Sequence, residues 1–125
     1  MRVYLRNQPH PRAPIWLIVG TRHICVCEEF AKWFRHKFGG EAALQDVWEA
    51  MTCPAWMLWV TTHTCMPQHL QELMEGCVGE VGRAMNDPHF LFLYGDKCDR
   101  PLARKIRLVM PGELLEALLE EEPCI

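Results

Sequence analysis

Three sets of residues in this chain of 125 carry side chains able to do chemistry. The densest in possible metal ligands is His23, Cys25 and Cys27, followed at a distance by Cys53 and then by His63, Cys65 and His69. Zinc is held by thiolates and imidazoles converging at bonding distance, and small proteins usually supply them in pairs roughly two to four residues apart. The spacings here, H-x-C-x-C and H-x-C-x-x-x-H, hold the right atoms without the familiar C-x-x-C. Cys25 and Cys27 also straddle an expected helix start, where residues two apart point about 200° from each other. Cysteine as a small buried apolar residue, with histidine at a helix end, is the simpler reading. No cofactor is therefore expected, and zinc binding is the alternative.

The second set is a single thiol. Cys53 precedes Pro54 at an expected helix N-terminus, where the helix dipole and unbonded amides lower a thiol pKa and favour the thiolate. A resolving cysteine two residues on is missing, because that position is Ala55, and a base such as His63 or His69 would have to come from elsewhere in the fold. Cys53 is more simply a structural N-cap. The chain has no glycine-rich phosphate loop, no G-x-S-x-G and no H-E-x-x-H. No catalytic residue is assigned, and a thiol enzyme using Cys53 ranks third among the functions considered.

Charge is the third feature. Arg2, Arg6, Arg12 and Arg22 make the N-terminal segment basic, and Lys97, Arg100, Arg104, Lys105 and Arg107 form a second basic stretch. The end of the chain, with Glu113, Glu116 and Glu120 to Glu122, is acidic. Such runs are usually solvated faces, and the two signs can neutralise each other within a fold. The functional alternative is a pair of patches, Lys97 to Arg107 and Glu113 to Glu121, that dock on a charged partner. An acidic helix can occupy a nucleic-acid channel on such a partner by imitating phosphate charge.

Composition narrows the choice. A net charge of -3 gives no general field to attract a nucleic acid, which argues against direct binding and favours a protein partner, nucleic-acid-handling complexes included. Half the residues are apolar and 23% are charged, the balance of a globular chain, and the length suits one domain spanning 1–125. Seven cysteines is an odd number, and the opening MRVYLRNQPHPRAP has prolines where a signal peptide needs an apolar run. Both point to a reducing cytoplasm. The longest apolar run, Ile15 to Val19, is too short to span a bilayer.

The elements that must position these residues are organised around Leu44 to Val60, which holds Trp48, Trp56 and Trp59. Ahead of it, Val3 and Leu5 alternate with Arg2, Tyr4 and Arg6 as in a strand with one wet face. The segment 8–14 holds three prolines and must be a connection. Ile15 to Val19 reads as a strand covered on both faces. From Arg22 the period becomes helical, with Ile24, Cys27, Ala31, Phe34 and Phe38 on one stripe and Gly39-Gly40 as the stop. A second helix begins near Glu41 with Leu44, Val47, Trp48 and Met51 inward, ends before Thr52-Cys53-Pro54, and restarts at Pro54 as a third. Beyond the polar TTHTC break, Pro67 opens a long helix, Phe90 to Tyr94 reads as a buried strand, and over Arg104 to Met110 the residues Ile106, Leu108 and Met110 alternate against basic ones as in an edge strand. Pro111-Gly112 starts a last helix with Leu114, Leu115, Leu118 and Leu119. The expectation is an α+β fold, a compact helix-rich domain of four or five helices with a small sheet of two to four strands.

One pattern has a likeness. Trp48, followed eight residues later by Trp56-Met57-Leu58-Trp59, resembles a helical corner found in small proteins of bacteria and their phages, some labelled immunity proteins. In that form a cysteine follows the first tryptophan by three positions and an acidic residue precedes the second; here they are Met51 and Ala55. The resemblance is local and has no catalytic residue attached. It implies a phage or mobile-element setting, and with it a non-enzymatic inhibitor or immunity factor, a class that extends to anti-CRISPR and other anti-defence proteins. With the thiols read as reduced and metal-free, titration in denaturant after anaerobic purification should find seven per chain; stoichiometric zinc in the native protein would transfer the assignment to metal binding.

Overall fold

The computed structural model describes residues 1–6, 14–64 and 98–121. The expected helix from Pro67 and strand Phe90 to Tyr94 lie outside them. The described residues form an α+β fold of five helices and a four-stranded antiparallel sheet. Strands β1 (Arg2–Arg6), β2 (Ile15–Val19), β3 (Arg22–Val26) and β4 (Glu41–Ala43) lie in the order β3-β2-β1-β4.

Register sorts the side chains. Val3 pairs with Val19 on one side and Ala42 on the other, Leu5 with Leu17, and Leu17 with Ile24. These apolar residues share the face that packs into the core, while Arg2, Tyr4 and Arg6 look outward. β2 is covered on both faces as its continuous apolar run requires, with Leu17, Ile18 and Val19 all buried.

β3 corrects the helix expected from Arg22. Ile24 and Val26 are buried while His23 and Cys25 between them are exposed, an alternation that suits a strand. Gly20, at φ 64°, makes possible the two-residue turn that folds β3 back on β2, a left-handed conformation other residues rarely adopt. Helix α1 (Glu28–Phe38) begins only at Glu28, with Cys27 as N-cap accepting from the Phe30 amide at 3.4 Å. Gly39, at φ 72°, ends it as expected and donates to the Arg35 carbonyl.

The second helix also starts later than its spacing suggests. Glu41 to Ala43 pair with β1 as a short edge strand, buried Ala42 standing opposite Val3, and α2 runs over Leu44–Ala50. Leu44, Val47, Trp48 and Met51 are all buried. α3 (Pro54–Thr64) restarts at the proline and continues through part of the expected TTHTC break. Buried Thr61 satisfies its own hydroxyl by donating to the Leu58 carbonyl one turn back.

The edge strand expected over Arg104 to Met110 is a helix, α4 (Arg100–Val109), followed by α5 (Gly112–Glu121). Asp99 caps α4 by accepting from the Leu102 amide at 3.1 Å, with Pro101 in the first turn. Leu102, Ala103, Ile106 and Met110 make its buried stripe, so Leu108 faces away from the core.

α4 packs on α3 and α5 on α2, so one helical corner lies over the other. α1 joins α3 through rings: Phe30 and Trp33 lie 5.2 and 5.5 Å from Trp56, centroid to centroid. Trp48 is wholly buried and donates its indole N–H to the Met110 carbonyl at 2.9 Å, joining the two corners. Trp56 and Trp59 are half-buried at the margin of the core. Trp48→Ala should therefore cost more stability than Trp56→Ala, with about 3 to 5 kcal/mol as the scale for a buried tryptophan. Trp48→Phe should still lose about 1 to 3 kcal/mol by leaving the Met110 carbonyl unbonded. Chemical denaturation of the three variants checks the order.

Candidate functional site

The candidate surface is built on α4 and α5, and their charged residues divide into two kinds. Arg107 turns inward: Nη1 donates to the Met51 carbonyl at 2.6 Å, and Nε lies 3.8 Å from Glu49. Glu116 accepts from the N-terminal amine of Met1 through one oxygen and from Gln45 at 2.5 Å through the other. Both are tied to α2 or its neighbours, and both serve the fold. Arg22, from the N-terminal basic group, likewise reaches the Leu119 carbonyl near the end of α5 at 3.4 Å.

The other charged side chains face solvent. Arg100, Arg104 and Lys105 are exposed on α4, and Glu113 and Glu120 on α5. Lys97 and the side chain of Glu121 lie outside the described residues. Arg104 and Lys105 stand one turn before Leu108, which is 76% exposed, so the outer face of α4 sets an apolar residue next to two cations. Leu114, 41% exposed, stands beside Glu113 on the outer side of α5.

The possible metal ligands do not converge. In β3 the strand period puts exposed His23 and Cys25 on one side, which replaces the diverging helical geometry expected for this stretch. Cys27 is exposed at the N-cap of α1, whereas Cys53 is buried in the corner between α2 and α3. The His63 side chain, Cys65 and His69 lie outside the described residues. Among the described residues no three histidine, cysteine or acidic side chains are placed to hold a metal ion. Cys53 is 2% exposed, and a thiol nucleophile needs access that this burial removes.

Two features escaped the sequence pattern. Leu108 was hidden by an alternation that made it look like one of three inward strand positions, although Asp99, Pro101, Leu102 and Ile106 carried the signature of a capped helix. Cys98, exposed beside the α4 cap, has no spacing relation to another cysteine or histidine that would single it out.

No family model matches the chain, and neither a curated protein nor a solved structure matches it. The fold and surface define its class: an α+β domain carrying a helical pair with basic and acidic outer faces. No helix among the described residues is long and apolar enough to cross a membrane.

Glu116 titrates abnormally. The hydrogen bond from the N-terminal amine, and after it the one from Gln45, hold its carboxyl below the ordinary 4.5, against a smaller opposing effect of burial. A depressed folded-state pKa means stability that is present above the unfolded value and lost as pH falls through the folded one. Glu116→Gln should therefore melt below wild type at neutral pH, and the gap should narrow as the pH is taken below 4.5. Thermal melts of both proteins from neutral to acid pH check this.

Proposed function

We propose that this chain is a non-enzymatic protein-binding inhibitor or immunity factor of the phage or mobile-element type, a class that includes anti-CRISPR and other anti-defence proteins. It acts in the cytoplasm on another protein, with nucleic-acid-handling complexes as the natural targets of so charged a surface. The observation that carries the reading is Leu108. A leucine 76% exposed on a regular helix contributes little to the fold, yet it stands one turn beyond Arg104 and Lys105 on a face with no part in the core. Protein interfaces are built in this way, with an apolar anchor that is desolvated on contact and a charged rim that sets association rate and excludes wrong partners. The local likeness of the tryptophan corner supplies the biological setting.

Capture from a host lysate by the immobilised wild-type chain tests the reading, with Arg104→Glu and Leu108→Asp as controls. The expected result is a specific protein retained by wild type and lost by both variants, while both melt within a few degrees of wild type. Retention on Arg104→Glu should recover least at low salt, where unscreened repulsion is strongest. A protein held equally by all three chains would place the interface elsewhere, and a catalytic turnover found for the purified chain would overturn the non-enzymatic reading.

A further inference from the structure

The three large hydrophobic residues that are exposed among the described residues are Tyr4, Leu108 and Leu114. Two of the three sit on consecutive helices, in opposite charge settings. Leu108 on α4 has Arg104 and Lys105 one turn before it and Arg100 a further turn away; Leu114 on α5 has Glu113 beside it, Ala117 in the next turn and Glu120 in the turn after. We propose that these two faces form a two-fold interface with a second copy of this chain, the basic face of α4 in one copy lying on the acidic face of α5 in the other.

The packing argues for this arrangement. α4 rests on α3 and α5 rests on α2, and in each helix the side opposite the buried stripe is exposed. Because both faces point outward, they cannot cover each other within one copy. A copy related by a two-fold axis brings basic onto acidic twice, which is the self-complementarity that a closed dimer needs. The inward turn of Arg107 and Glu116 sharpens the match by leaving Arg100 and Arg104 to meet Glu113 and Glu120. Burying Leu108 and Leu114 together supplies the apolar centre.

The contact is small. Two helices of ten residues, each about 15 Å long, give a footprint at the low end of specific interfaces, so the dimer is weak and reversible. This inference does not rest on the inhibitor reading. If a foreign partner uses the same faces, it must displace the second copy.

Sedimentation of the purified chain alone tests the dimer without any partner, so its failure and the failure of the inhibitor reading are separate results. At low salt, wild type should pass reversibly from monomer to dimer between about 1 and 500 μM, and added salt should shift the midpoint upward. The pair Arg100→Glu with Arg104→Glu should abolish self-association, as should the pair Glu113→Lys with Glu120→Lys. An equimolar mixture of the two charge-reversed chains should dimerise again, because each α4 then meets an α5 of opposite sign in both contacts. Leu108→Gln, which adds no charge, should weaken the wild-type dimer at least tenfold and serves as the readout if a reversed chain melts early. A wild type that stays monomeric over the whole range overturns the proposal. So does a dimer indifferent to Leu108→Gln, or a mixture of folded reversed chains that remains monomeric.

Discussion

The fold depends on how the end of α2 is satisfied. A helix leaves its last carbonyls without intrahelical partners, and buried carbonyls need partners from elsewhere. At the turn after α2, the Met51 carbonyl accepts from Arg107 and the Thr52 carbonyl accepts from the Asp99 amide at 2.8 Å. In the other direction, the Trp48 indole donates to the Met110 carbonyl just beyond α4. α4 is thus held at its start, along its length and at its end by one short stretch of the chain. That stretch fixes which side of α4 is buried, and by exclusion which side, with Arg104 and Leu108, is left exposed.

A second knot joins the sheet to the last helix. The Met1 amine meets Glu116, its carbonyl accepts from the Leu44 amide at 2.8 Å, and Gln45 shares the same carboxylate. At the far end of α5, Arg22 reaches the Leu119 carbonyl, where a cation suits the negative end of the helix dipole. The first strand, the second helix and the last helix meet around one acidic side chain. Part of the charge that looks segregated along the sequence is therefore spent inside the molecule.

Much of this was legible in the sequence. The helix, corner and helix from Leu44 to Val60 follow from apolar spacing and Pro54, although α3 runs on to Thr64 through residues that read as a break; the stop at Gly39 follows from its αL preference, and β1 and β2 follow from their alternation and apolar run. The misreadings share a cause: short segments fit two periods at once, and the deciding contacts are distant in sequence. Ile24 suits a helix stripe with Ala31, yet pairing with Leu17 across the Gly20 turn makes it a strand residue. Glu41 to Ala43 are drawn from the helix by pairing with β1, which no local signal announces. For Arg100 to Val109 the two-residue alternation of Ile106, Leu108 and Met110 competed with the Asp99 cap, and the cap was the better guide. On α4 and α5 the charge runs were legible as composition, but Arg107 and Glu116, which turn inward, can be told from Arg104 and Glu113 only by partners far along the chain.

The aromatic joint between α1 and α3 has an optical consequence. Trp33 and Trp56 lie 5.5 Å apart at a tilt of 52°, and Phe30 stands against both. Two indoles that close, and neither parallel nor perpendicular, couple their electronic transitions and give a circular dichroism couplet of side-chain origin. The sign and size of that couplet depend on the separation and mutual orientation of the two rings and not on the helical backbone around them. The packing of α1 against α3 is thus written into the spectrum as a signal of its own, distinct from the helix content of the chain.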